Sequence, residues 1–186
     1  MAAAVSCWVP SSPLNVACPV HISESMPTAT TAAPLSDIQR SMREDHARLE
    51  RVFEAVLAAF QADARAELSE LWARFESGLR RHFELEEQLM LPRFKSSQPL
   101  EAAQLALEHV AILKKLEQLG INVDLHLTRA DVVADFIATI RAHAAREDAL
   151  MYVWANTNED NGWKQVVVAA VRQLESHLHA VVSSQR

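Results

Sequence analysis

From Leu35 to Trp154 apolar side chains return at every third or fourth position, and few glycines or prolines interrupt them. Leu35, Ile38, Met42, His46, Leu49, Phe53, Val56 and Phe60 form the first such stripe. That period presents one face of an α-helix to a core, and it does not fit the alternation of a strand. The chain of 186 residues holds 3 glycines and 7 prolines, and five of the prolines (Pro10, Pro13, Pro19, Pro27 and Pro34) precede Leu35. With 49% hydrophobic residues it carries ample material for the core of one all-α domain.

The same pattern divides the chain. Residues 1–34 are Ser, Thr, Ala and Pro without periodicity, as expected of a disordered leader, and 35–182 form the helical domain. The first helix starts at Leu35 with Ser36 as its N-cap. A second runs from about Asp63 through Leu68, Leu71, Phe75, Leu79, His82, Glu86 and Leu89 to Pro92, which is expected to end it. The third opens at Pro99 and stops at Gly120. A fourth follows Thr128, with Asp131 three positions on as a capping partner, and reaches Trp154. A last amphipathic segment, Trp163 to Val181, packs outside the others and offers a surface to a protein partner. Short connections make antiparallel neighbours, so the expected body is an up-down-up-down four-helix bundle with an additional C-terminal helix.

Charge and cysteine usage narrow the partners. The formal net charge is −6, with acids and bases interspersed, so no basic stripe points to nucleic acid. No apolar run reaches the ~18 residues of a membrane span, and the first residues lack the basic start of a secretory signal. Both cysteines, Cys7 and Cys18, fall in the leader, so the helical body needs no disulfide and a cytoplasmic setting is expected.

Each of the four main stripes contains one histidine: His46, His82, His109 and His143. A lone histidine on such a face is ordinarily a satisfied core residue, but these four share a height. His46 lies 10 residues after Ser36, His82 10 before Pro92, His109 10 after Pro99 and His143 11 before Trp154. In an antiparallel bundle all four rings then lie roughly 15 Å from one end. Glu86 and Glu147 follow His82 and His143 by four, on the same helix face. Four imidazoles and two carboxylates turned on one another in a dry interior are costly unless cations compensate them. Six such ligands exceed the four of a structural zinc and suit two first-row ions, iron ahead of manganese or zinc. Ferritin-type bundles use Glu-x-x-His, and none of the four core histidines has a glutamate three positions before it.

EDHARLERVF around His46, HFELEEQLMLP with His82 and Glu86, EHVAILKKLEQL with His109 and HAAREDALMY with His143 and Glu147 together resemble the hemerythrin-like, His-His-Glu cation-binding domains. The resemblance spans about Ser36 to Val181. It implies a four-helix bundle around two non-haem irons joined by two carboxylates, with a small ligand such as O2, nitric oxide or peroxide at an open iron. By the same resemblance His46 and His82 serve one iron, His109 and His143 the other, and Glu86 bridges. The second bridge falls to Glu147 or Asp148, and helical geometry favours Glu147, since a residue at i+5 turns away. Oxygen carriers have a further histidine where this chain has Leu105, which points to sensing, iron handling or metal-centre repair in place of transport.

Other polar groups near the stripes read as surface or packing residues. Asp45 and Glu108 directly precede histidines and are expected to face elsewhere, as are Glu84 and Glu87. Glu50 reads as a salt-bridge partner before a ligand, and Tyr152 as a packed aromatic at the bundle edge before a hydrogen-bonding group near the site. His126, His177 and His179 belong to no ligand pair. Two other classes of function compete with the di-iron reading. One is a regulatory or interaction bundle with a degenerate or structural metal site. The other is an oxygenase, which would need a substrate-sized channel beside the metals.

Overall fold

The fold comes from a computed structural model that describes residues 37–183, with side chains as far as Leu174. The leader, the Ser36 cap and the side chains of His177 and His179 lie outside the described residues. The elements are α1 (Asp37–Gln61), α2 (Arg65–Leu85), a π-helical turn (Glu86–Met90), α3 (Leu91–Ser97), α4 (Pro99–Asp124), α5 (Ala130–Ala149), α6 (Met151–Thr157) and α7 (Asn161–Ser183). α2, the π turn and α3 are one distorted rod, because the joining residues Glu86 and Leu91 keep right-handed helical backbone. α5 and α6 make another, bent at Leu150. With α1 and α4 they form the four-helix, all-α bundle expected from the periodicity, and α7 is the additional C-terminal helix. α1 packs on α2, α2 on α4, α4 on α5, and α5 back on α1.

Three helix ends differ from expectation, each for a local reason. Pro92 does not stop its rod, since it occupies the first turn of α3, where a missing N–H is tolerated. The turn before it widens instead: the Leu91 N–H bonds to the Glu86 carbonyl, five residues back. Gly120 does not stop α4 either. A Cβ there would lie 2.9 Å from the Trp72 indole nitrogen, so the glycine serves close packing on α2, and the helix runs on to Asp124. The turn that follows is made by His126, at φ 56°. The Thr128–Asp131 cap is absent. Asp131 is engaged by the Arg129 guanidinium at 2.8 Å and 3.0 Å, the Thr128 hydroxyl has no hydrogen-bond partner among the described residues, and α5 begins at Ala130.

Two apolar clusters fill the bundle. One gathers Leu49, Phe53, Phe75, Leu79, Phe83, Ile112, Phe136 and Ile140. The other gathers Ile38, Met42, Leu85, Met90, Leu105, Met151 and Tyr152 with Trp163, Val167, Val168 and Val171 of α7. α7 thus spends its apolar face closing one end of the bundle, against α1 and α2. His46, His109 and His143 fall between the clusters along their rods, and His82 lies at the same boundary, beside Phe83 of the first cluster and three residues before Leu85 of the second, so the polar layer has a hydrophobic plug on either side. Among the described residues no helix is long and apolar enough to cross a membrane.

Candidate metal centre

All six expected residues meet in that layer. His82, Glu86, His109, His143 and Glu147 are buried, and His46 alone keeps a modest exposure, with 15% of its side chain accessible. Two sets of ligand atoms form, His46–His82–Glu147 and His109–His143–Glu147. Glu147 belongs to both because its two oxygens look in different directions. Oε1 lies 3.1 Å from His109 Nε2 and 2.8 Å from His143 Nε2, whereas Oε2 lies 3.5 Å from His46 Nε2 and 4.0 Å from His82 Nε2. Glu86 sits across the layer, its Oε2 at 3.6 Å from His82 Nε2 and 3.4 Å from His109 Nε2. Asp148 stands outside both sets, with Oδ1 3.7 Å from the outer nitrogen of His46. A residue one position past Glu147 is turned about 100° around the helix, which is why only one of the pair faces the centre.

Acids that the sequence pattern turns away from the core support the histidines. His82 Nδ1–H donates to Asp45 at 2.8 Å, His109 Nδ1–H to Glu87 at 3.1 Å and His143 Nδ1–H to Glu108 at 2.7 Å. Asp45 is fully buried. Each acid acts on the histidine of the next rod: α1 on α2, the π turn on α4, α4 on α5, and Asp148 of α5 back towards His46 of α1. Outer arginines hold three of them, with Arg48 on Asp45 at 2.6 Å, Arg146 on Glu108 at 3.2 Å and Arg43 near Asp148 at 3.4 Å. An imidazole that gives its Nδ1–H outwards keeps the Nε2 lone pair pointing inwards, the state a metal ligand requires. The sequence did carry a sign of this ring, since every rod has an acid directly beside one of its inward residues.

Tyr152 takes the second of its two expected roles, a hydrogen bond at the site. It is fully buried, its hydroxyl donates to Glu86 Oε1, and it stands 3.3 Å from His46 Nε2. Leu105 is buried in the apolar cluster at the end closed by α7. Glu50 makes the expected salt bridge, to Arg141 of α5, and not an inward contact.

Electrostatics mark the layer as built for cations. Burial alone would raise the Glu147 carboxyl, but the ring nitrogens of His109, His143, His46 and His82 gathered around it hold it well below the usual range. Glu86 is pushed up to about 7, by burial first and then by the neighbouring Glu147 charge. Burial would lower His82, yet the Glu86 charge and the Asp45 hydrogen bond lift it well above the ordinary value. Two imidazole nitrogens, His46 Nε2 and His82 Nε2, are only 3.0 Å apart. Glu86 Oε2, Glu147 Oε2 and His143 Nε2 are buried without an aligned hydrogen bond among the described residues. Each such group costs about 1–3 kcal/mol, and more when charged. Cations placed among them would remove that cost, so the donor set fits two metal ions and is consistent with a di-iron centre.

Neither curated proteins nor solved structures yield a match to the chain. The family model described as the hemerythrin HHE cation binding domain matches residues 37–155, from the start of α1 into α6. That span contains all four histidines, both inward glutamates and the acids behind them, and the chain belongs to the hemerythrin HHE cation-binding domain family.

Proposed function

We propose that this protein holds two non-haem irons and uses them to meet a small oxidant, O2, nitric oxide or peroxide, in sensing, iron handling or the repair of metal centres. His46 and His82 would hold one ion and His109 and His143 the other, with Glu147 and Glu86 shared between them. When bound, the iron pair supplies an open coordination place and electrons that can be exchanged with the small ligand. The observation that carries this reading is Glu147, a buried carboxylate whose two oxygens each address a different histidine pair. Asp45, Glu87 and Glu108 keep three of the rings turned inward while charge changes at the centre. Tyr152 holds Glu86 by one oxygen and leaves the other facing the histidines.

Leu105 argues for sensing or handling over reversible transport, because an apolar side chain stands where a carrier's further histidine would be. A cytoplasmic setting belongs to the same reading, since residues 35–186 contain no cysteine. Iron analysis and the visible spectrum of protein purified in air test the proposal together. The expected result is two irons per chain with oxo-bridged ferric absorption. His82→Ala and His143→Ala each lose at least one iron, whereas His126→Ala, in an exposed turn, keeps both. A colourless, metal-free protein of unchanged stability would instead identify an interaction bundle with a degenerate site.

A further inference from the structure

α4 carries two apolar stripes. Ala102, Leu105, Ile112, Leu116 and Val123 face the core together with His109. On the opposite side Leu100, Ala103, Leu107, Val110 and Ile121 are exposed at the same alternating spacing of three and four, and Lys114 and Glu117 fill the two remaining places. Leu107 is 66% and Val110 64% exposed. A helix on the outside of a bundle ordinarily shows polar residues there. Among the described residues, seven of the nine large hydrophobic side chains left exposed lie from Leu100 to Val132, so the uncovered apolar surface belongs to α4 and the turn after it, and not to α7.

The spacing says what fits. Apolar residues that return every 3.5 positions form the seam of a coiled coil, so the complement of this face is another helix, along about 30 Å of its length. Lys114 and Glu117 sit in that seam, and neither has an ion-pair partner among the described residues. Against an antiparallel copy of α4, with a twofold axis between Lys115 and Leu116, Lys114 meets Glu117 of the second copy and Glu117 meets its Lys114. The same register puts Val110 on Ile121 of the second copy and carries Leu107 to the turn at its Leu125. A parallel copy would place each lysine on its own equivalent, so the charges select the antiparallel arrangement.

We propose that the outward face of α4 is a self-pairing surface: two copies of this chain dock antiparallel through Leu107, Val110 and Ile121, and two Lys114–Glu117 pairs fix the register. The occupant is a second copy and not an unrelated helix because the seam carries both members of its own ion pair. The inference stands apart from the small-oxidant reading, since this face points away from the buried His109.

Sedimentation equilibrium of the full chain, from micromolar to millimolar concentration, reads the association, and the expected result is a dimer. Leu107→Glu weakens it at least about tenfold, with unchanged helical circular dichroism because the Leu107 side chain lies outside the core. Lys114→Glu and Glu117→Lys each weaken it about tenfold when alone. An equal mixture of those two variants associates like the unaltered chain, since every seam charge again meets its opposite. A chain that stays monomeric, whether or not another protein binds α4, overturns the proposal. So does a dimer that Leu107→Glu leaves undiminished, or a mixture that associates no better than its separate variants.

Discussion

Asp45 shows what a single carboxylate does in this protein. It follows Glu44 and precedes His46 in sequence, yet its work is on His82, whose Nδ1–H it accepts while Arg48 holds it from behind. Neighbouring helical positions are 100° apart, so an acid beside an inward histidine points sideways at the next rod. The pattern of one helix identifies its inward face and not that sideways reach, which is why Asp45, Glu87 and Glu108 look like surface charges in the sequence. Asp45→Asn keeps the shape and removes the charge. It is expected to weaken metal binding about 10- to 100-fold with little change in fold, as measured by competition against a chelator of known affinity. Glu87→Gln should do less, because 46% of the Glu87 side chain is accessible and water can take its place. Equal affinity in Asp45→Asn and the unchanged protein would show that the acid does not orient its ring.

At the scale of elements, both rods that carry a His-x-x-x-Glu pair are distorted just after the glutamate. The π turn occupies Glu86–Met90, and Leu150 bends the rod three residues after Glu147. A widened turn leaves carbonyls poorly served by the helix itself. α7 answers one of them, since the Trp163 indole N–H donates to the Leu89 carbonyl at 2.8 Å, under an Arg93 guanidinium that also pairs with Asp160. The helix beyond the matched family span thus buttresses the turn that positions Glu86. Trp163→Phe retains the apolar contact and leaves that carbonyl unpaired. The expected loss is about 1–2 kcal/mol in urea denaturation, accompanied by faster metal release to a chelator. A loss of stability with unchanged release would separate α7 from the centre.

The whole molecule is two apolar clusters with a charged layer between them. Without cations that layer brings inward and outer carboxylates into one cross-section, and folding has to bury them. Metal held there would contribute a large part of the folded state's stability, because the assembled layer offers the ligands together and the unfolded chain does not. Chelation is expected to lower stability by about 3–4 kcal/mol at metal concentrations 100 to 1,000 times the dissociation constant. For a domain of this size that is a fall in Tm of roughly 6–16 °C. Differential scanning calorimetry with and without chelator reads it, and an unchanged Tm would mean that the layer is satisfied without metal.

Periodicity, breaker placement and the equal heights of four histidines were enough to specify the bundle and bring six residues to one level, since helical rise and the 3.6-residue turn are local properties of the chain. Glu147 over Asp148 followed from the same turn. Where a rod continues was decided by its neighbours: past Gly120, which Trp72 approaches closely, and past Pro92, behind a π turn that α7 supports. The ring of outer acids, the hold of Tyr152 on Glu86 and the bridge between Glu50 and Arg141 each join residues from different rods. Such contacts depend on how the rods are rotated against one another, and that rotation is set by packing across the whole core and by no single stretch of sequence.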